Sequence, residues 1–405
     1  MKILLSHRFF WPDTAPYAVM LKTIGEALAG AGHEVHTFSS VPSYRQSKDA
    51  NPRRETLGAL KVHRVWVFSD EKSNPLKRLA NVMIFCTALF VEVLRLRPDV
   101  VTASTFPPVI AAWSSSLAAR MSGARFVYHM QDIHPEVSQF SGGRLGRGLP
   151  LRVLRWLDNQ TLRRSAAIIV LSHDMAETLQ ARGLGDLPLY VINNFSLDLS
   201  YETRCEPPAE LRKSPGRRRI IFAGNMGRFQ NLKLLVEGVA KVLSRHPDLE
   251  LFFLGDGKMA PELKLHWGQH AQVGFGNFLP FEQAQELIGE SDIGLVSLSP
   301  GIFRVAFPSK VLTYLGLGVP ILALVEPESQ LARSITEASL GAVPDANTPE
   351  AIATCLEGLL ARDISSRALK EWYDAHAGVE RVIAQWHRLM TGLTSPRAKT
   401  TRLST

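Results

Sequence analysis

Short aliphatic and β-branched runs recur along the first half of the chain, at Ile3–Leu5, Val35–Phe38, Val62–Val67, Val100–Ala103, Arg125–His129, Ala167–Leu171 and Leu189–Ile192. Each has the length and composition of a buried strand. Between the first two runs, Tyr17, Met20, Leu21, Ile24 and Leu28 fall at the three- and four-residue spacing of a helix with one apolar face. Gly30 and Gly32 close it. Strands alternating with helices predict a parallel, doubly wound α/β sheet. A polar stretch over 199–219, with Pro207-Pro208 and Ser214-Pro215-Gly216, reads as a linker. The pattern then restarts. Strands are expected at Ile220–Ala223, Leu249–Leu254, Ile293–Ser297 and Ile321–Leu324, and Leu232, Leu235, Val236 and Val239 stripe a helix.

This predicts an α/β chain of two Rossmann-like domains, 1–198 and 220–378, facing a cleft. Ligands in such sheets sit at the carboxyl ends of the strands. A last helix over 379–393, carrying Trp386, is expected to pack back on the first domain. The polar, basic tail 396–405 is expected to be disordered.

Composition narrows the classes. The 405 residues are 45% hydrophobic and 21% charged, ordinary for a globular chain that buries a large core. Cys86, Cys205 and Cys355 form no Cys-x-x-Cys pair, so neither a disulfide framework nor a zinc site is expected, and a cytoplasmic setting fits. Ser6-His7-Arg8 ends the first apolar run too early for a signal peptide. The longest apolar stretch, Val82–Leu94, falls short of the ~20 residues a spanning helix needs. Lys77, Arg78, Arg95 and Arg97 flank it, so Leu76–Arg97 suits peripheral contact with an anionic membrane. The net charge is +8, and residues 1–200 hold 23 Lys and Arg against 16 Asp and Glu. Such an excess suits anionic lipid or a pyrophosphate-bearing acceptor. No basic run with interleaved aromatics is present, so no nucleic-acid partner is expected.

Five segments hold candidate chemistry. In Gly224-Asn225-Met226-Gly227-Arg228-Phe229-Gln230, after a strand and before a helix, the glycines let backbone approach a ligand. The helix start offers N–H groups to an anion, and Arg228 can add a charge-assisted contact. Pro308-Ser309-Lys310 opens a helix containing Thr313 and Tyr314. A lysine in a first turn opposes the helix dipole, which points to an anion it neutralises. His129-Met130-Gln131-Asp132-Ile133-His134-Pro135-Glu136 follows a strand. Asp132 and Glu136 can accept hydrogen bonds from ligand hydroxyls or accept a proton. The first loop, with Asp13, Thr14 and Tyr17, is placed to touch phosphate or acceptor. Gly255-Asp256-Gly257 is a turn directly after the strand expected at Leu249–Leu254. No Asp-x-Asp pair or ligand-spaced His/Cys cluster is present, so no metal is expected.

In this order, with Gly32-His33-Glu34-Val35 and Ile192-Asn193-Asn194, these segments resemble the retaining glycosyltransferases of family four, which have the GT-B fold. The similarity extends from Met1 to about Leu393, and bacterial enzymes building capsule, exopolysaccharide or O-antigen units resemble it most. The resemblance implies a retaining, metal-independent transferase without a cofactor. It would move a hexose or N-acetylhexosamine from a nucleotide diphosphate sugar, UDP above others, to a glycan or lipid-linked acceptor. It also implies roles: Arg228 and Lys310 with Asp132 and Glu136 in catalysis; Gly224, Asn225, Met226, Gly227, Gln230, Gly255, Asp256, Ser309 and Thr313 on the donor; and Asp13, Thr14, Tyr17, His129 and Gln131 on the acceptor or phosphate. The chain departs from the family at Val305 and Thr313, where a Glu pair is usual. Asn225 and Gln230 stand for Arg and Lys, Gln131 for His, and Ala15-Pro16 for glycines. A nucleotide-sugar epimerase on the same plan and a non-catalytic binding subunit are the alternative readings.

Overall fold

The computed structural model describes residues 1–13, 15–41, 52–68, 74–140, 146–196 and 206–394. The chain divides into two compact units: Met1–Asn193 with the closing helix from Val382, and Asn194–Arg381.

The first unit runs β1 (Lys2–Ser6), α1 (Pro16–Gly30), β2 (Glu34–Ser40), β3 (Arg54–Leu57), β4 (Leu60–Val65), α2 (Pro75–Leu96), β5 (Val100–Ser104), α3 (Ile110–Ser122), β6 (Arg125–His129), α4 (Glu136–Phe140), α5 (Gly148–Arg164), β7 (Ala167–Val170), α6 (His173–Gln180) and β8 (Leu189–Val191). Its sheet has the order β3-β4-β2-β1-β5-β6-β7-β8, parallel throughout except for β3 against β4. Every residue of β5 and β7 is buried; β7 is accordingly all apolar, and β5 adds only the small polar side chains of Thr102 and Ser104. The strand expected at Val62–Val67 ends at Val65, because the buried Asn81 side chain takes both the N–H and the C=O of Phe68 at 2.8 Å. The edge strand β3 escapes the hydrophobic pattern: it is Arg-Glu-Thr-Leu, and charged side chains suit an unpaired edge. The 22-residue α2 is long and apolar enough to cross a membrane by length and composition, yet Phe85, Cys86, Leu89 and Val93 are buried within the unit.

The second unit runs β9 (Arg218–Ala223), α7 (Leu232–Leu243), β10 (Leu249–Leu254), α8 (Ala260–Trp267), β11 (Val273–Gly276), α9 (Phe281–Gly289), β12 (Ile293–Ser297), α10 (Lys310–Gly316), β13 (Ile321–Leu324), α11 (Gln330–Glu337), β14 (Gly341–Ala342), α12 (Pro349–Leu360) and α13 (Ser366–Ala377). The closing helix, α14 (Val379–Thr394), follows. The sheet is fully parallel, ordered β11-β10-β9-β12-β13-β14. Alternate residues feed two cores. Ile221, Phe252, Leu254 and Val296 face one, with Tyr314; Ile220, Phe222, Leu251, Phe253 and Leu295 face the other, with α7 and α12. Burial on both faces is the doubly wound arrangement. β9 starts two residues before the expected Ile220. Arg218 pairs with Asp248 at 2.9 Å, and Arg219 pairs with Glu250 at 2.5 Å and lies 4.4 Å over the Phe252 ring. Ion pairing thus carries charged residues into a strand where hydropathy alone places a linker. β11 was hidden because it is half glycine; a side chain at Gly274 would meet the Phe252 ring.

Candidate functional site

In the second unit the chain leaves β9 toward β10 and returns on the other side as β12, so the strand order reverses between them. Crevices at such points hold ligands in open α/β sheets. Tyr314 shapes this one. β9 and β12 pair only through Ile220–Ile293 and Ile221–Gly294; farther along, the Tyr314 hydroxyl accepts the Ala223 N–H at 2.9 Å. The Tyr314 ring lies where a side chain on Gly294 would stand, 2.6 Å from that position.

The glycine turn after β9 is braced from below. The Gly224 N–H donates to the Leu254 carbonyl and the Met226 N–H to that of Asp256, both at 2.8 Å, and the Gly227 N–H donates to Gln230 Oε1 at 2.9 Å. Gly255, at φ +133°, passes so close to the Gly224 carbonyl that any side chain would overlap it. The N–H groups of Gly224, Met226 and Gly227 are therefore bonded within the unit, which leaves N–H groups for an anion to the helix start beyond them. The Met226 side chain is core, and the Asp256 carboxylate accepts the Gly257 N–H at 2.7 Å. Nor does the helix begin at the glycines. A 3-10 turn at Arg228–Gln230 and a left-handed Asn231 precede α7. Arg228 and Asn225 are exposed, and Arg228 makes no ion pair among the described residues.

Lys310, the first residue of α10, is the unusual group. Its Nζ is buried, has no hydrogen-bond partner among the described residues, and lies 3.3 Å from the centroid of the Phe222 ring. Burial holds its pKa well below the ordinary lysine value. The ring face supplies some attraction, but a buried ammonium without an anionic partner is costly. The Ser297 hydroxyl, at the end of β12, is likewise buried and unbonded. Ser309 is exposed and its side chain makes no capping bond, and Thr313 lies one turn beyond Lys310, half-buried. The Ser299 N–H donates to the Phe229 carbonyl at 2.6 Å, tying the loop after β12 to the turn after β9. Gly224–Gln230, Gly255, Asp256 and Lys310 thus gather at the carboxyl end of β9. The usual acidic positions hold Val305, which is buried, and Thr313.

In the first unit the strand order reverses between β1 and β5. The Tyr17 hydroxyl lies 2.8 Å from His129 Nδ1, and Gln131 Nε2 lies 3.0 Å from His129 Nε2. Trp386 of α14 meets the His129 ring edge-on at 5.0 Å. His7, directly after β1, packs on Tyr17 with ring centroids 4.6 Å apart. Burial lowers His7 to about 4 and His129 to about 3, so both are neutral near pH 7. Tyr17 is raised by burial. Asp13 is buried; Thr14 lies outside the described residues. Sequence reading passed over His7, whose signal was its place at the end of the first strand.

Asp132 and Glu136 have different surroundings. Glu136 receives Arg182 through Nε on Oε1 at 3.1 Å and Nη2 on Oε2 at 2.6 Å. Arg182 also holds Asp158 Oδ2 at 2.5 Å, Asn159 Oδ1 at 3.2 Å and the His134 carbonyl at 3.2 Å, while the Tyr128 hydroxyl donates to Asp158 Oδ1 at 3.1 Å. Both Glu136 oxygens are occupied, so this carboxylate fixes the loop that carries Asp132. Asp132 itself has no hydrogen bond among the described residues, and burial raises it to about 6. Its native pKa exceeds the unfolded value, so its stabilising contribution is full below about pH 4 and is lost as pH rises through about 6. Asp132→Asn should gain stability relative to wild type over that window, on the order of 2 kcal/mol. Melting curves from pH 4 to 7 test this; a difference independent of pH would refute it.

Two doubly wound parallel sheets of this kind are the building blocks of the GT-B fold. Sucrose-phosphate synthase from Thermosynechococcus elongatus superposes with a TM-score of 0.73 at 14% identity, over 97% of this chain and 98% of that one. The Anabaena protein HepE in complex with UDP-glucose gives 0.65 at 17%, over 96% and 99%. Residues 17–194 match the glycosyl transferase 4-like domain and residues 217–362 the glycosyl transferases group 1 domain. The chain belongs to the glycosyltransferases built from these two domains in this order. It is 22% identical to the putative colanic acid biosynthesis glycosyl transferase WcaI of Escherichia coli (strain K12), over 95% of this chain and 98% of the relative. It is 24% identical to the probable glycosyltransferase WbjE of Pseudomonas aeruginosa, over 71% and 74%.

Proposed function

We propose that this glycosyltransferase moves a hexose or N-acetylhexosamine from a UDP-sugar, with retention at the anomeric carbon, to a lipid-linked or growing surface glycan at the cytoplasmic face of a membrane. The observation that carries the donor assignment is the buried, unpartnered Lys310 Nζ at the β9/β12 crevice. A diphosphate would supply the missing anionic partner. The solved relative complexed with UDP-glucose supports the nucleotide, and the relatives named for colanic acid and glycosyl transfer support the glycan pathway.

As the bond from the anomeric carbon to the diphosphate breaks, negative charge grows on the leaving oxygen. Lys310 and Arg228 stabilise that charge, and preorganised cations in a dry site are usually the largest catalytic contribution. The free N–H groups at the start of α7 add to it. Asp132, poised near pH 6, is placed to hold an acceptor hydroxyl or take its proton. These cations do the work a metal does elsewhere, so turnover should survive excess chelator; loss on chelation with rescue by magnesium would refute metal independence. A thermal-shift comparison of UDP-, GDP- and dTDP-sugars tests the donor. A ligand at ~100 times its Kd stabilises the native state by about 2.7 kcal/mol. UDP-sugars should shift the melt most, and no shift with any of them would rule out this donor.

A further inference from the structure

We propose that the outward faces of α2 and α5 form one docking platform for an anionic lipid surface; this deepens the proposed membrane-face reaction and rests on it. Two separate helices carry the feature. On α2, Leu79 and Met83 are 61% and 57% exposed, at helical spacing. On α5, Leu149, Val153 and Trp156 follow at i, i+4 and i+7, and Leu149 and Trp156 are 72% and 58% exposed. α3 packs against both helices, so the three form one layer.

The charge pattern selects the occupant. α2 contains one acid, Glu92, which pairs with His63 at 3.0 Å. α5 contains one acid, Asp158, which is buried and held by Arg182. α3 has none. These three helices therefore present apolar side chains with the exposed Arg95, Arg152 and Arg163, and contribute no unpaired carboxylate among the described residues. A basic, apolar surface complements anionic headgroups over acyl chains, and tryptophan favours that boundary. A second copy of the same face would bring like charges together. α2 lies flat rather than spanning, because Phe85, Cys86, Leu89 and Val93 are held inside the unit.

Flotation of the full chain with phosphatidylcholine vesicles, with and without phosphatidylglycerol, tests the platform. Wild type should float only with the anionic lipid at low salt. Val153→Glu with Trp156→Glu should reduce partitioning about tenfold or more, as should Arg152→Glu with Arg163→Glu, since each basic residue near the surface contributes about 1 kcal/mol, or roughly fivefold. Both variants should melt like wild type and keep the shift produced by UDP. A soluble wild type, or α5 variants that float like wild type, would overturn the proposal. So would light scattering that shows a dimer broken by these substitutions without lipid binding. If wild type floats and the α5 variants do not, yet UDP produces no shift, the platform stands and the donor assignment fails.

Discussion

Lys310→Ala should lower kcat/KM for the nucleotide-sugar by roughly 10–100-fold. A hydrogen bond to a charged group contributes about 1.5–3 kcal/mol, and each ~1.36 kcal/mol is tenfold in rate. Lys310→Arg should recover only part of the loss, since a planar fork does not reproduce a compact ammonium over the Phe222 ring. Thr313→Ala should cost less, about one neutral hydrogen bond. Stability should move the other way. The native pKa of Lys310 is depressed, so the folded state holds its proton less tightly than the unfolded chain does, and the residue destabilises the fold below its ordinary titration range. Lys310→Met replaces the buried ammonium with an apolar chain and should stabilise the protein by about 1–3 kcal/mol. A variant that is slower and melts higher marks a residue kept for function. Near wild-type efficiency in Lys310→Ala, with normal melting, would make Lys310 a packing residue.

Arg182→Ala should be the most destabilising substitution, by about 3–5 kcal/mol, because removing one partner leaves buried charge uncompensated. Arg182 links Glu136, Asp158 and the His134 carbonyl, so its loss frees the Asp132 loop as well as the ion network. Asp158 is raised to about 6, first by burial, despite its partner. Without Arg182 its native pKa should rise further, so the variant's deficit should widen as pH climbs from about 5 to 7. In a double-mutant cycle Arg182→Ala and Glu136→Gln should be less than additive, since both remove one interaction. Urea denaturation measures each stability; a loss below about 1 kcal/mol would show that the network is not what holds this loop.

Hydropathy revealed the two sheets because parallel strands buried on both faces are nearly all apolar: Arg125–His129, Leu249–Leu254, Ile293–Ser297 and Ile321–Leu324 appear with the expected bounds. It missed β3, whose charges protect an edge, and β11, whose glycines make room for Phe252. At the site, Lys310 could be singled out from its place in a first turn, but its burial over Phe222 depends on β9 passing beneath it. The internal bonding of the Gly224–Gly227 turn was invisible because its partners, Leu254 and Asp256, belong to the next strand and loop. Asp132 and Glu136 look equivalent in sequence; Arg182, 46 residues beyond Glu136, separates them. The exposed stripe of α5 is not legible in sequence because apolar residues at helical spacing suit a core face equally well, and only packing shows that Trp156 is left outside.

Calorimetric titration of UDP into wild type and Lys310→Met tests the donor site most directly. UDP binding to wild type should be linked to protonation, with proton uptake that grows and affinity that weakens as pH rises, because the diphosphate favours the charged form of Lys310 that burial disfavours. Lys310→Met should bind about tenfold or more weakly, with the uptake abolished. Equal affinity and equal proton uptake in the two proteins would contradict the placement of the diphosphate at Lys310.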